Sequence, residues 1–192
     1  MITWINGTFG SGKSTLAAGL HQALPGSVVA DPEEIGDLLR RTLAGHRDKL
    51  RDYQDYPTWR RLTTAYISEI AAHTNGHVLV PMTVLNPTYA AEVFTPLRSS
   101  PELVHLVLHV NRDELKARID ASEEFPGDNP RSEAVRGYRR RRAPDYAAAA
   151  AAWMHADGHV IDTSAMPAHA VLQASLARLS PTRPVTADGA RP

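Results

Sequence analysis

Gly7-Thr8-Phe9-Gly10-Ser11-Gly12-Lys13-Ser14 is the stretch from which the fold can be read. It fits G-x-x-x-x-G-K-[ST] in full, and its setting matches. The apolar run Ile2 to Asn6 predicts a strand before it, and Leu16, Leu20, Ala23 and Leu24 predict a helix over 13–24 after it. Gly7, Gly10 and Gly12 let the chain turn where larger residues cannot and bring the backbone close to an anion. Successive N–H groups form an anion nest, to which the helix N-terminus adds its positive dipole end. The pattern points to a bound nucleoside triphosphate, with Lys13 bridging the β- and γ-phosphates and the Ser14 hydroxyl holding Mg²⁺. A plain glycine-rich strand–helix turn is the alternative, and the register of Lys-Ser against three glycines speaks against it.

Outward from this loop, short apolar runs alternate with helical periods. Further strands are predicted at Ser27–Ala30, His77–Val84, Leu103–Val110 and His159–Thr163. Pro81 keeps the end of the third run out of a regular central ladder. Helices are predicted from Glu33 through Leu43, around Trp59 to Ile70, from Pro87 to about Arg98, over Asp113–Ser122, through the alanine run Ala147–Ala152 and over Pro167–Leu179. Five strands alternating with helices mean βαβ units and hence a mostly parallel five-stranded sheet covered on both faces, a three-layer α/β sandwich. One domain is expected over residues 1–180, with 181–192, which hold three prolines and little apolar material, as a disordered tail.

Composition narrows the function classes. The 192 residues include 21 basic and 21 acidic side chains, and a net charge of zero argues against a nucleic-acid or anionic-membrane binder. The absence of cysteine excludes disulfides, iron–sulfur ligation and a thiol nucleophile. No signal peptide or membrane span is visible, so a cytoplasmic location is expected. The pairs His105/His109 and His73/His77 lack H-E-x-x-H spacing and a third ligand, and read as ordinary histidines.

The remaining residues bear on the fate of the γ-phosphate. A GTPase should carry N-K-x-D, whereas Asn111-Arg112-Asp113-Glu114 has Glu in the base-reading place and reads better as a helix start. A motor-type ATPase should end a strand in Asp or Glu, whereas the third strand ends Val80-Pro81-Met82-Thr83. A small-molecule kinase needs an acceptor pocket beside the loop and an arginine-bearing lid. The segment 123–145, polar and interrupted by Pro126, Gly127 and Pro130, carries Arg131, Arg136, Arg139, Arg140, Arg141 and Arg142 and suits such a lid; a solvated basic helix face, or a crossover loop paired with Glu123, Glu124, Asp128 and Glu133, is the alternative. Asp31, closing the second strand, stands where an acceptor hydroxyl would be oriented and deprotonated; its plainer role is to cap the next helix.

Four stretches, Trp4–Lys13, Asp31-Pro32-Glu33-Glu34-Ile35-Gly36, Tyr56-Pro57-Thr58-Trp59-Arg60 and Val80-Pro81-Met82-Thr83 with Pro87-Thr88-Tyr89 behind it, resemble the tunicamycin resistance proteins of bacteria. The resemblance covers roughly residues 1–180. It implies an ATP-binding protein with a fold similar to gluconate, shikimate and chloramphenicol kinases, and a part in resistance to a nucleoside antibiotic of the tunicamycin type. The nucleotide set would be Gly7, Thr8, Phe9, Gly10, Ser11, Gly12, Lys13, Ser14 and Thr15, with Arg118 where related kinases stack an arginine on adenine. Ser122 replaces their second lid arginine, which leaves the catalytic lid charge to Arg136, Arg139 and Arg140. Tyr56 and Trp59 would offer aromatic faces to a small-molecule acceptor, Arg60 a charge, and Met82 and Thr83 a pocket wall; core packing is the other reading of Trp59, and a satisfied loop hydroxyl that of Thr83. A metabolic nucleoside or nucleotide kinase, and a drug-sequestering binder without chemistry, are the competing functions.

Overall fold

The computed structural model describes residues 1–98 and 102–179. The expected tail at 181–192 lies outside the described residues. Five strands form one sheet in the order β2-β3-β1-β4-β5: β1 (Ile2–Gly7), β2 (Val28–Val29), β3 (Val78–Pro81), β4 (Leu103–His109) and β5 (His159–Asp162). Every pairing is parallel. The helices are α1 (Lys13–Ala23), α2 (Glu33–Thr42), α3 (Pro57–Thr74), α4 (Pro87–Leu97), α5 (Arg112–Ala121), α6 (Asn129–Ala149), α7 (His155–Asp157) and α8 (Ala168–Leu179), with a π-helical segment, Ala150–Met154, joining α6 to α7.

Alternation along the central strand assigns the layers. Ile2 and Trp4 of β1 face a cluster with Trp59, Ile67, Val93 and Phe94, under α3 and α4. Ile5 points the other way, onto Leu16, Leu20 and Val171 of α1 and α8. Trp4 and Phe94 meet edge to face with centroids 5.0 Å apart, the arrangement the ring quadrupoles favour. The Trp4 indole N–H is not stranded by this burial, because it donates to the Met82 carbonyl at 2.9 Å.

The third strand behaves as Pro81 implies, and the arginine-rich segment differs from the sequence reading. β3 stops at Pro81, opposite Ile5, and Met82 to Val84 leave the ladder; Val84 N–H bonds instead to the Asn6 side chain at 3.1 Å. The polar stretch read as an irregular lid is, from Asn129 onward, one long helix. Pro130 sits in its first turn, where a missing N–H costs nothing, and Asp128 caps it by accepting from Arg131 N–H at 3.0 Å. Pro130, which reads as a break, is therefore a start signal.

Candidate active site at the carboxyl ends of the strands

β1, at the centre of the sheet, runs directly into the phosphate loop, and α1 begins at Lys13. Gly10 and Gly12 adopt positive φ of 87° and 96°, so the loop curls without strain. Gly7 is required for a second reason: a Cβ there would lie 2.8 Å from the Leu108 carbonyl oxygen. The Gly7 N–H donates to Asn6 Oδ1 at 2.9 Å, and its carbonyl accepts from Thr83 Oγ1 at 2.8 Å, so the first loop residue is held on both sides.

The loop leaves its anion-binding capacity unspent. Lys13 Nζ donates to the Thr8 carbonyl at 2.8 Å and reaches the Gly7 carbonyl at 3.4 Å. Among the described residues no carboxylate pairs with it. Burial lowers its pKa to about 8; Glu33 opposes that shift and the Arg139 charge adds to it. The hydroxyls of Thr8 and Ser11 are buried without a hydrogen-bond partner, and the first turn of α1 carries no acidic residue. A desolvated ammonium, two orphaned hydroxyls and an uncompensated helix N-terminus fit a polyphosphate, and Ser14, exposed at the mouth of the loop, fits a Mg²⁺ ligand.

Beside the loop opens a cavity of about 1090 Å³. Phe9 and Glu33 form the edge nearest the loop, Met82 and Thr83 a floor, and α6 a wall. Phe9 packs edge to face on Tyr138 of α6 at 5.3 Å, which ties the loop to the arginine helix. Asp31 does not line the cavity. Its Oδ1 accepts from Glu33 N–H at 2.8 Å and so caps α2. Glu33, two residues on, reaches the cavity and feels the Lys13 charge. Its pKa is raised, by burial first and by the Asp31 charge second, against the opposing pull of Lys13 and Arg40.

Met82 and Thr83 lie in the cavity wall, as the sequence places them. Tyr56, Trp59 and Arg60 do not line it. Trp59 has no exposed surface and donates its indole N–H to the Pro32 carbonyl at 3.1 Å. The Tyr56 hydroxyl accepts from Leu50 N–H. Arg60 pairs with Glu92 at 2.6 Å, stacks over Tyr89 and holds the Gln54 carbonyl, while Gln54 Nε2 donates to the Thr83 carbonyl at 2.7 Å. Arg60 and Gln54 thus tie the Thr83 carbonyl, in the cavity floor, to α3 and α4.

The arginines divide in the same way. Arg139, Arg141 and Arg142 line the cavity, Arg139 also pairing with Glu124 and Arg142 with Asp145. Arg136 is spent on the Ser122 carbonyl, Asn129 and Glu133. Arg140 bridges Asp120 of α5 and Glu133, outside the cavity. Arg118 pairs with Glu114 and donates to the Thr163 carbonyl at 2.6 Å, binding α5 to the end of β5. Sequence reasoning missed Glu33 as a lining carboxylate and Arg40, Tyr53 and Trp153 as lining residues. Arg40 follows Glu33 by seven residues, two helical turns along one face, and that spacing would have found it.

Residues 2–156 match a family model described as an AAA domain. Among solved structures, the tunicamycin resistance protein of Deinococcus radiodurans superposes with a TM-score of 0.69 at 24% identity, covering 94% of this chain and 96% of that one. A sugar kinase from Janibacter sp. HTCC2649 gives 0.60 at 20% identity, with 93% of each chain covered. A gluconokinase from Sinorhizobium meliloti 1021 gives 0.54 at 18% identity, covering 92% and 91%. No curated protein matches the chain. These likenesses are likenesses of fold, and with the phosphate loop they make this a P-loop NTPase α/β sandwich of the kinase-like kind.

Proposed function

For a chain that belongs to the AAA domain family, we propose an ATP-dependent phosphotransferase that acts on a hydroxyl of a small molecule, with a nucleoside antibiotic of the tunicamycin type as preferred acceptor. One observation carries the reading. A desolvated Lys13 with no carboxylate partner and two orphaned hydroxyls sit in the loop whose Phe9 lines a cavity of about 1090 Å³, room for a drug-sized acceptor beside the loop. The antibiotic class rests on the quoted sequence stretches and on the likeness to the Deinococcus radiodurans protein.

The free loop amides between Thr8 and Thr15, Lys13 and the Thr8 and Ser11 hydroxyls would hold the phosphates, with Gly7 anchoring the loop, and Ser14 would hold Mg²⁺. When bound, the metal neutralises charge between the β- and γ-phosphates. Arg118, whose edge is held by Glu114 and Thr163, would meet the base only with the flat face of its guanidinium. The acceptor hydroxyl gives its proton to Glu33 as its oxygen bonds to the γ-phosphorus and the bond to the ADP oxygen breaks. Asp31, the carboxylate expected for this task, fixes the first turn of α2 and keeps Glu33 proton-hungry through its neighbouring charge. Arg139 faces the developing charge, assisted by Arg141 and Arg142, while Arg136 and Arg140 hold the helix in place. Met82 and Thr83 shape the acceptor floor.

The test is incubation with γ-labelled ATP and tunicamycin, ordinary nucleosides, or neither. Label on the drug, with a product heavier by one phosphate, supports the proposal. Label on ordinary nucleosides makes the protein a metabolic kinase. Tight drug binding with no labelled product leaves only sequestration and overturns the phosphotransferase reading.

A further inference from the structure

Behind the phosphate loop lies a buried polar chain that the proposed transfer does not use. It starts at Asn6, which has no exposed surface. Asn6 Oδ1 accepts from the N–H groups of Gly7 at 2.9 Å and Val84 at 3.1 Å. Its Nδ2 donates to the Val84 carbonyl at 3.0 Å and faces His105 Nε2 at 3.3 Å. Two acceptor sites and two N–H bonds are all that a primary amide has, and all four are engaged. The two backbone donors fix the amide orientation, so His105 Nε2 must be the bare, accepting nitrogen.

The rest of the ring agrees. His105 Nδ1 lies 2.9 Å from Asp157 Oδ2, the contact of an Nδ1–H donor with a carboxylate. Arg98 holds both oxygens of that carboxylate, at 2.8 and 2.7 Å. Phe94 meets the imidazole edge to face and Trp153, from the π-helical segment, stacks on it. The charged groups facing His105 are Asp157 from α7, Arg98 at the end of α4 and His159 from β5. β1 and the π-helical segment present the uncharged Asn6 and Trp153.

We propose that neutral His105 is a positioning residue for the phosphate loop: by accepting from Asn6 it holds the amide that anchors Gly7, and its protonation loosens the loop and weakens nucleotide binding in acid. This rests on the reading of the loop as a nucleotide site. An imidazolium would turn an N–H toward the Asn6 N–H, donor against donor. Flipping the amide to meet it would set the NH₂ group against the Gly7 and Val84 donors instead, so no orientation of Asn6 satisfies both sides. Burial keeps the imidazole below its ordinary range, the Asp157 hydrogen bond and charge raise it, and Arg98 and His159 push it down.

The signs give the test. The dissociation constant of Mg·ADP is measured from pH 8 to pH 5 for the unaltered chain, Arg98→Met and Asp157→Asn, with the His105 ring followed by NMR over the same range. All three should bind alike at pH 8 and lose affinity toward acid, and the binding midpoint should coincide with the ring titration. Removing the Arg98 charge should move the midpoint up, and removing the Asp157 charge should move it down, each by about one pH unit. Melting temperatures at pH 8 check that both variants fold. Midpoints that coincide in the three chains, or that ignore the ring titration, overturn the inference while leaving the nucleotide site intact. No binding even at pH 8 in the unaltered chain overturns the nucleotide site and this inference together.

Discussion

The phosphate loop and the arginine helix α6 meet the same cavity, yet they are polar in opposite ways. The loop acts through its own backbone. Its glycines, its amides and Lys13 lie within eight residues, Lys13 bonds only carbonyls of that same loop, and the Thr8 and Ser11 hydroxyls have no partner. The helix acts through side chains that are already partnered: Ser122, Asp120 and Glu124 from outside it, and Glu133 within it, occupy Arg136, Arg140 and Arg139 in whole or in part. A charge that is vacant is available to a ligand, whereas a charge that is paired is scaffolding until something outbids its partner. Burial of Lys13 without a carboxylate is costly for the free protein, and the cost is relieved by loss of the proton or by a bound anion. Exposed ion pairs such as Arg140 with Asp120 cost little and gain little.

The comparison can be broken at several points. Lys13→Ala should have the largest effect, a loss of roughly 10²–10³ in transfer rate with weakened nucleotide binding, read by steady-state kinetics and calorimetry. Near-normal turnover would mean that the vacant ammonium is not the phosphate's partner. Next, Glu33→Gln should lower turnover by about 10² while leaving nucleotide affinity unchanged. Asp31→Ala should act mainly on α2, at about 1 kcal/mol of stability by denaturant titration. The opposite ranking would return the base to Asp31.

Smaller effects separate the arginines. Arg139→Ala should reduce turnover by about tenfold, and Arg140→Ala should leave it within about twofold. Equal losses would show that pairing does not decide which arginine serves. The smallest effect concerns the ligand-free chain. Lys13 loses its proton at about 8 in the folded state, against 10.5 when free. Between those values the unfolded chain binds more protons, so stability should rise with pH from 8 toward 10. That rise should vanish in Lys13→Met and shrink when nucleotide is bound; a flat profile in the unaltered chain would contradict the desolvated ammonium.

What was legible in the sequence follows the same division. The strand–loop–helix start, the parallel sheet and the two-faced core depend on short-range periodicity and on glycine, and the structure matches them. Asp31 and Glu33 stand two residues apart in one motif, and no periodicity tells which of them faces the cavity. The turn at Pro32 folds the Asp31 carboxylate back onto the Glu33 N–H and leaves Glu33 pointing at the loop. Trp59 looked like a ligand face and proved to be core, because its indole N–H finds the Pro32 carbonyl, a partner 27 residues away. α6 was hidden because Pro130, in its first turn, reads like an interruption until the Asp128 cap is seen.

The most direct test of the account is where the γ-phosphoryl group goes in a single turnover. Enzyme in excess over γ-labelled ATP, with tunicamycin present, should place most of the label on the drug and little in inorganic phosphate, with Lys13→Ala abolishing both. Label released wholly as inorganic phosphate at a rate indifferent to the drug would contradict it, and would make the cavity something other than an acceptor site.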